Sequence, residues 1–120
     1  IYVSMPEMKV ARILTNIIEN AIKYNKEKGK VFIDIKDESD QVVVNIKDTG
    51  IGISQDEIDK IFNRYYRSKN SKNMGIEGSG LGLAIAKDIV ESYNGNIKAH
   101  SNPGKSTEFV ITLPSAQVKI

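Results

Sequence analysis

The spacing of the apolar residues changes along this chain, and each change marks the end of one element and the start of another. From residue 7 to 24, Val10, Ile13, Leu14, Ile17, Ile18, Ala21 and Ile22 recur at three- and four-residue steps, the stripe of an amphipathic helix. Pro6 stands near its start, where proline is tolerated, and Gly29 with the Lys-rich stretch before it closes the segment. The period then drops to two. Val31, Ile33 and Ile35 alternate with polar neighbours, as do Val42, Val44 and Ile46, and Asp37-Glu38-Ser39-Asp40 joins the two runs. This predicts an antiparallel hairpin over 31–36 and 42–48 with the branched residues on one face. The alternation continues to Asp48, so a carboxylate shares the face of the valines.

A glycine-punctuated loop, Asp48 to Ile53, follows. Ser54 then reads as an N-cap with Glu57 three residues on, opening a short helix to about Phe62. Residues 64–79 form a polar loop carrying Arg64, Arg67, Lys69 and Lys72. Gly80-Leu81-Gly82 opens a second long helix to about Tyr93, with Leu83, Ile85, Ala86, Ile89 and Val90 as its apolar set and Gly95 beyond its end. Strands over about 96–101 and 107–113, joined by Asn102-Pro103-Gly104, close the chain. Helices and antiparallel strands are segregated, which predicts an α+β fold, a two-layer α/β sandwich with the helices on one sheet face. At 120 residues the chain is one domain's worth, and its opening on Ile1 rather than Met suggests a piece of something longer.

Composition removes several classes. The absence of cysteine excludes a thiolate metal site and a Cys nucleophile, and the single histidine excludes a multi-His site. A net charge of +2 gives no basic excess for a charge-driven nucleic-acid binder. No apolar run approaches the ~20 residues that span a bilayer.

Four groups of residues could carry chemistry. Asn16, Asn20 and Lys23 fall within roughly 60° on the first helix. Amide oxygens suit a hard cation such as Mg²⁺ and the ammonium suits phosphate, although a solvated polar face has the same pattern. Asp48, with Gly50 and Gly52 beside it, could accept from the exocyclic amine of an adenine brought close to the backbone; an Asx-turn at a strand end is the plainer alternative. Gly78, Gly80 and Gly82 at a helix start could receive an anion, or serve as a hinge. Arg64, Arg67, Lys69 and Lys72 could bind a terminal phosphate, or simply be solvated. Two temptations are set aside. Ala99 to Ser106 fits a relaxed P-loop pattern but leads into the β-alternating run Thr107 to Leu113, not into a helix. His100 reads as an exposed strand residue in phase with Lys98, not as a phosphoacceptor.

Taken together the motifs form a known series. Asn16-Ile17-Ile18-Glu19-Asn20-Ala21-Ile22-Lys23-Tyr24 resembles the N box of sensor histidine kinases, Asp48-Thr49-Gly50-Ile51-Gly52-Ile53 their G1 box, and Ile61 to Ser68 their F box. Gly78-Ser79-Gly80-Leu81-Gly82 and the residues to Lys87 resemble the G2 box, and Gly104 to Pro114 the closing strand. In order and separation, the chain resembles the catalytic and ATP-binding domain of a two-component sensor histidine kinase, in the GHKL superfamily.

The resemblance implies the Bergerat ATP-binding fold, a mixed, mostly antiparallel sheet of about five strands covered on one face by about three helices. It implies ATP and Mg²⁺ as ligands. Asp48 would bond the adenine amine, partly through a water shared with Thr107, and Gly50, Gly52 and Ile53 would line the adenine pocket. Asn20 would hold the metal with Asn16 in support, Lys23 and Arg67 would contact phosphate, Tyr24 would lie beside the nucleotide, and residues 68–79 would form the ATP lid. Gly80, Leu81 and Gly82 would present the helix start to the phosphates. Catalysis of γ-phosphoryl transfer would rest on Asn16, Asn20, Lys23 and Arg67. The ATP-hydrolysing branches and the related serine kinases carry a catalytic glutamate where this chain has Asn16, and an amide is no general base; that favours the histidine kinase branch over a GHKL-fold ATP hydrolase or serine protein kinase. Glu19 is not given that role. Two departures stand out: Tyr2 to Glu7 lacks the family's usual Asp before the first helix, and Ser106 stands where glycine is commoner. The implied partners are a dimerisation domain bearing the phosphoacceptor histidine, a response regulator and, in the full protein, a second copy, with no nucleic acid. The implied place is the cytoplasmic side of a membrane-anchored sensor.

Overall fold

A computed structural model describes residues 2–66 and 80–116. Helix α1 spans Glu7–Lys23, strand β1 Val31–Glu38, β2 Gln41–Asp48, helix α2 Gly82–Ser92, β3 Asn96–Asn102 and β4 Ser106–Pro114. The strands lie in the order β1-β2-β4-β3, every neighbouring pair antiparallel. The two hairpins thus place β2 and β4 at the centre.

The alternation in the central strands decides which face is covered. Val42, Val44, Ile46 and Asp48 of β2 are buried, and so are Thr107, Phe109, Ile111 and Leu113 of β4. In register these are four facing pairs: Val42 with Leu113, Val44 with Ile111, Ile46 with Phe109, and Asp48 with Thr107. Ile13, Ile17 and Ala21 of α1, and Ala86, Ile89 and Val90 of α2, pack onto that surface. Apolar pairs fill three of the four rows and anchor the layer. Asp48 and Thr107 carry the apolar pattern off the end of the sheet into polar chemistry.

The architecture is the expected two-layer α+β sandwich, with differences in count. The described residues contain four strands, all antiparallel, and two α-helices, where about five mixed strands and three helices were implied. Val3 makes a single antiparallel bridge to Ser115, and Ala116 N–H donates to the Tyr2 carbonyl at 2.9 Å, so the chain start touches the sheet without adding a strand. The expected helix over 54–62 is a run of turns. Ser54 does accept from the N–H groups of Glu57 and Ile58 at 3.0 and 3.1 Å, but the next bonds, Lys60 to Glu57 and Asn63 to Lys60, close tighter three-residue turns. Ile61 is buried, and Phe62 meets Phe109 edge-on at 6.2 Å, which fastens this segment to the core.

The first strand departs from expectation more sharply. Ile33 and Ile35 pair with Ile46 and Val44 and so point to the helical side, yet they are 51% and 50% exposed. Periodicity assigned their face correctly. It could not tell that α1 lies over β2 and leaves the edge strand open.

Candidate functional site

The sheet end that carries Asp48 and Thr107 opens into a cleft of about 380 Å³ between α1, α2 and the loop after β2. Asn16, Asn20, Lys23, Tyr24, Asp48, Gly52, Ile53, Gly80, Leu81, Gly82 and Thr107 all line it. Residues from four separate stretches of sequence therefore meet around one space. Arg67 and the rest of the 68–79 segment, with Lys69, Lys72, Gly75 and Gly78, lie outside the described residues.

At the sheet end, Asp48 is 3% exposed. Its Oδ1 accepts from the Gly50 N–H at 2.8 Å. Burial pushes its carboxyl above the ordinary value of 3.8, opposed by the backbone N–H groups of Gly50 and Thr107. The result is a carboxylate held by fixed donors with capacity left to accept another. Gly50 does not line the cleft, contrary to expectation. It stands behind the carboxylate, where a Cβ would fall 2.3 Å from the Tyr24 carbonyl oxygen and 2.8 Å from Asp48 Oδ1. The loop is also tied down on both sides. Ile51 N–H donates to Tyr24 O at 3.2 Å, and Gly104 N–H donates to Ile51 O at 2.8 Å. Gly52 sits at φ +72° against the Asn102 backbone, so any side chain there would be strained.

The opposite end is less tied. Leu81, the N-cap of α2, brings no side-chain cap to the helix start. Gly80, at φ +75°, is required by the fold: a Cβ would lie 2.7 Å from the Tyr65 backbone, and Tyr65 N–H donates to the Gly80 carbonyl at 2.9 Å. Gly82 is different. A Cβ there would meet nothing within 4 Å, so the fold among the described residues has no need of glycine at this position. Across the space on α1, the Asn16 Nδ2 is buried and finds no hydrogen-bond partner among the described residues. A buried donor without an acceptor costs about 1–3 kcal/mol. Lys23 Nζ sits 5.9 Å from the Tyr24 ring centroid, at the helix end on the same wall.

Two further residues of the cleft were given no role by the sequence. Glu19, set aside there as a base, borders it and, with Asp48, supplies its carboxylates among the described residues. Tyr66 also lines it; its hydroxyl donates to Glu57 Oε1 at 2.7 Å, and Ser54 Oγ donates to Glu57 Oε2 at 3.2 Å. Burial and the Glu57 carboxylate push the Tyr66 phenol up to about 12, so it stays a donor. The Ser54 and Glu57 spacing was legible, but as a helix cap; Glu57 instead braces the tyrosine. Arg64 is committed elsewhere, its Nη2 2.6 Å from Asp88 Oδ2 on α2. His100 is exposed on β3 opposite Glu108, and Gly104-Lys105-Ser106 turns from β3 into β4, so neither reaches the cleft. Among the described residues no cluster of three or more His, Asp and Glu could hold a metal, and no helix is long and apolar enough to cross a membrane.

Known proteins share this arrangement. The sensor histidine kinase WalK of Bacillus subtilis (strain 168) is 41% identical over 116 residues, which is 95% of this chain and 19% of WalK. The Staphylococcus haemolyticus WalK (strain JCSC1435) is 40% identical over 116 residues, again 95% and 19%. The chain thus spans about a fifth of the length of these relatives. Among solved structures, the mycobacterial sensor histidine kinase MprB superposes with a TM-score of 0.83 at 27% identity, over 97% of this chain and 78% of that one. Full-length ShkA in complex with AMPPNP matches with a TM-score of 0.78 at 26% identity, over 93% and 22%. The family model described as histidine kinase-, DNA gyrase B- and HSP90-like ATPase matches residues 5–117. With that match running through both walls of the cleft, the chain belongs to the histidine kinase-, DNA gyrase B- and HSP90-like ATPase family.

Proposed function

We propose that this chain is one catalytic unit that binds Mg-ATP in the cleft and delivers the γ-phosphoryl group to a histidine on a dimerisation domain of the same protein. From there the phosphoryl group would pass to a response regulator. The sensor would be a membrane-anchored dimer with this unit on the cytoplasmic side. The observation that carries the reading is the pairing, in one cleft, of a glycine that the described residues do not require with a buried amide nitrogen that finds no partner among them: Gly82 and Asn16. Both make sense when a phosphate chain runs between them. The match to ShkA, solved with AMPPNP, adds support.

In this reading Asp48 accepts from the adenine amine, with Thr107 beside it and Gly52 and Ile53 on the purine's flank. Tyr24 lies along the nucleotide, and Lys23 and Arg67 offset phosphate charge. Gly80, Leu81 and Gly82 bring the start of α2 to the phosphates. The donor set fits a hard divalent cation: amide oxygens of Asn20 and Asn16 would hold Mg²⁺ together with the nucleotide's own phosphates, in keeping with Mg²⁺ sites that use few protein ligands. When bound, that ion neutralises developing phosphate charge. The work of the chain is then positioning and charge neutralisation, because an imidazole nucleophile needs little activation.

Calorimetry with ATP, with and without Mg²⁺, tests the binding. Transfer of label from γ-labelled ATP to an added dimerisation domain bearing its histidine tests the activity. Magnesium-dependent binding and transfer are expected; no binding in either condition overturns the reading. Glu19 favours one rival, an ATP hydrolase using that carboxylate as base. Steady-state hydrolysis by the isolated chain that is abolished by Glu19→Gln would establish it.

A further inference from the structure

The adenine end of the cleft contains a proton arrangement that the nucleotide reading above does not use. Ser101, on the edge strand β3, was not singled out by any sequence motif, yet its hydroxyl is the most connected polar atom of this region. Ile53 N–H donates to Ser101 Oγ at 2.6 Å. Ser101 Oγ donates to the Ser106 carbonyl at 2.9 Å. The Thr107 hydroxyl lies 3.2 Å from the same oxygen. Thr107 is 4% exposed, faces Asp48 across the β2–β4 ladder and lines the cleft.

Counting protons gives the one arrangement in which all three contacts are hydrogen bonds at once. A serine hydroxyl has one hydrogen and two lone pairs. The Ser106 carbonyl can only accept, so in that arrangement the hydrogen of Ser101 goes there. One lone pair of Ser101 takes the Ile53 N–H. The remaining lone pair accepts, and the hydrogen between Ser101 and Thr107 comes from Thr107. With its single hydrogen turned away, Thr107 shows the cleft lone pairs alone. The polar edge formed by Asp48 and Thr107 then consists of acceptors only.

We infer that Ser101 is a positioning residue for base selection, fixing the Thr107 hydroxyl as an acceptor so that the cleft prefers a purine with a 6-amino group over one with a 6-oxo group. The inference rests on the nucleotide-binding reading and deepens it. An exocyclic amine brings two donors to this edge. With the 6-substituent seated between Asp48 and Thr107, an oxo group there sets an acceptor against acceptors, and a free threonine rotor would relieve that mismatch by turning its hydrogen toward the oxygen. Ser101 denies it that freedom.

The probe is inosine 5′-triphosphate, which differs from ATP only at this edge: it carries an oxo group where ATP has the amine, and an N–H where ATP has a ring acceptor. Affinities for ATP and inosine triphosphate are measured by calorimetry for the wild type, Ser101→Ala, Thr107→Val and the double variant. In the wild-type background Ser101→Ala is expected to narrow the ATP-to-inosine preference about tenfold, the scale of one neutral hydrogen bond. In the Thr107→Val background the same change is expected to leave the preference where it is, since no hydroxyl remains to be oriented. A pair that keeps strand shape, Ser101→Thr and Ser101→Val, guards against a folding defect: the threonine should retain the preference and the valine lose it. An unchanged preference in Ser101→Ala, or an equal narrowing with and without the Thr107 hydroxyl, overturns the inference while leaving ATP binding standing. Failure of the wild type to bind ATP at all overturns both.

Discussion

The two ends of the cleft are built on opposite plans. At the sheet end the polar atoms are already engaged: Asp48 holds the Gly50 N–H, Ser101 gathers Ile53, Ser106 and Thr107, and Gly52 is pressed against the β3–β4 turn. Among the described residues, at the helix end, Asn16 Nδ2 has no partner and a Cβ on Gly82 would meet nothing within 4 Å. The first end is a preformed template, whereas the second leaves a polar atom unpaired among the described residues. The contrast separates fold from function. Glycines at the sheet end are there because the backbone requires them, whereas a Cβ at Gly82 would meet nothing within 4 Å among the described residues.

The sharpest way to break this comparison is at the template. Asp48→Asn keeps an acceptor for the Gly50 N–H but removes the charge and turns a donor toward the adenine amine. ATP affinity is expected to fall on the order of 100-fold, the loss of a charge-assisted hydrogen bond. The melting temperature should hold or rise, because a buried charge has been removed. Calorimetry and thermal unfolding on the same sample check both; a variant that binds ATP as before removes Asp48 from the site.

The glycines provide the next contrast. Gly52→Ala forces a side chain onto φ +72° with the Asn102 carbonyl 2.6 Å away, and should cost about 1–3 kcal/mol of stability. Gly82→Ala meets nothing and gains helix propensity, so stability should rise by up to ~1 kcal/mol while ATP affinity drops roughly tenfold through lost access to the helix start. Denaturant unfolding beside nucleotide titration reads both. If Gly82→Ala destabilises without touching binding, the distinction between the two glycines fails.

A smaller effect is expected at Asn16. Asn16→Ala deletes a buried donor with no partner among the described residues, so the fold should keep or gain about 1 kcal/mol. ATP affinity should fall about fivefold, while adenosine, which lacks the phosphates, should bind as before. A parallel loss for adenosine would move Asn16 to the template end.

How much of this could be read from sequence follows the range of the forces involved. The stripe of α1 and the alternation of β2 and β4 are local patterns; they placed Ile13, Ile17 and Ala21 and the branched residues of both strands on the covered face, but the stripe also took in Ile22, which is 63% exposed near the helix end. Asp48 was legible because its period ran on from the valines. The exposure of Ile33 and Ile35 was not, since it depends on where α1 comes to rest, a property of packing that no strand encodes by itself. The Ser54 and Glu57 spacing was seen, but Glu57 spends its carboxylate on Tyr66, a partner nine residues away that competes with the helix for it. Ser101 was invisible for a related reason: its bonds run to loops at positions 53 and 106, which only the completed sheet brings together. Tyr66 lines the cleft without any spacing that marks it, and Glu19 lines it although its angle from Asn20 on the helix argued against a role.

The smallest predicted effect concerns pH and again separates the two ends. Burial raises the Asp48 carboxyl above 3.8 in the folded chain, whereas the unfolded chain titrates near that value. As pH climbs from 3.8 toward the folded value, the unfolded state has released a proton that the folded state still holds. The stability that Asp48 contributes is therefore fullest below 3.8 and declines with rising pH through that window, levelling off above it. The slope cannot exceed about 1.4 kcal/mol per pH unit for one group, and the opposing N–H groups of Gly50 and Thr107 keep its total small. Asp48→Asn removes this group's share, so the difference in unfolding free energy between variant and wild type should grow across the same window and stay constant above it. Asn16→Ala carries no titrating group, and its difference from the wild type should not change with pH. Denaturant unfolding of the three proteins at intervals across the window measures this. Parallel curves for Asp48→Asn and the wild type would mean that the carboxylate is not desolvated by the sheet end, and the template would lose its defining strain.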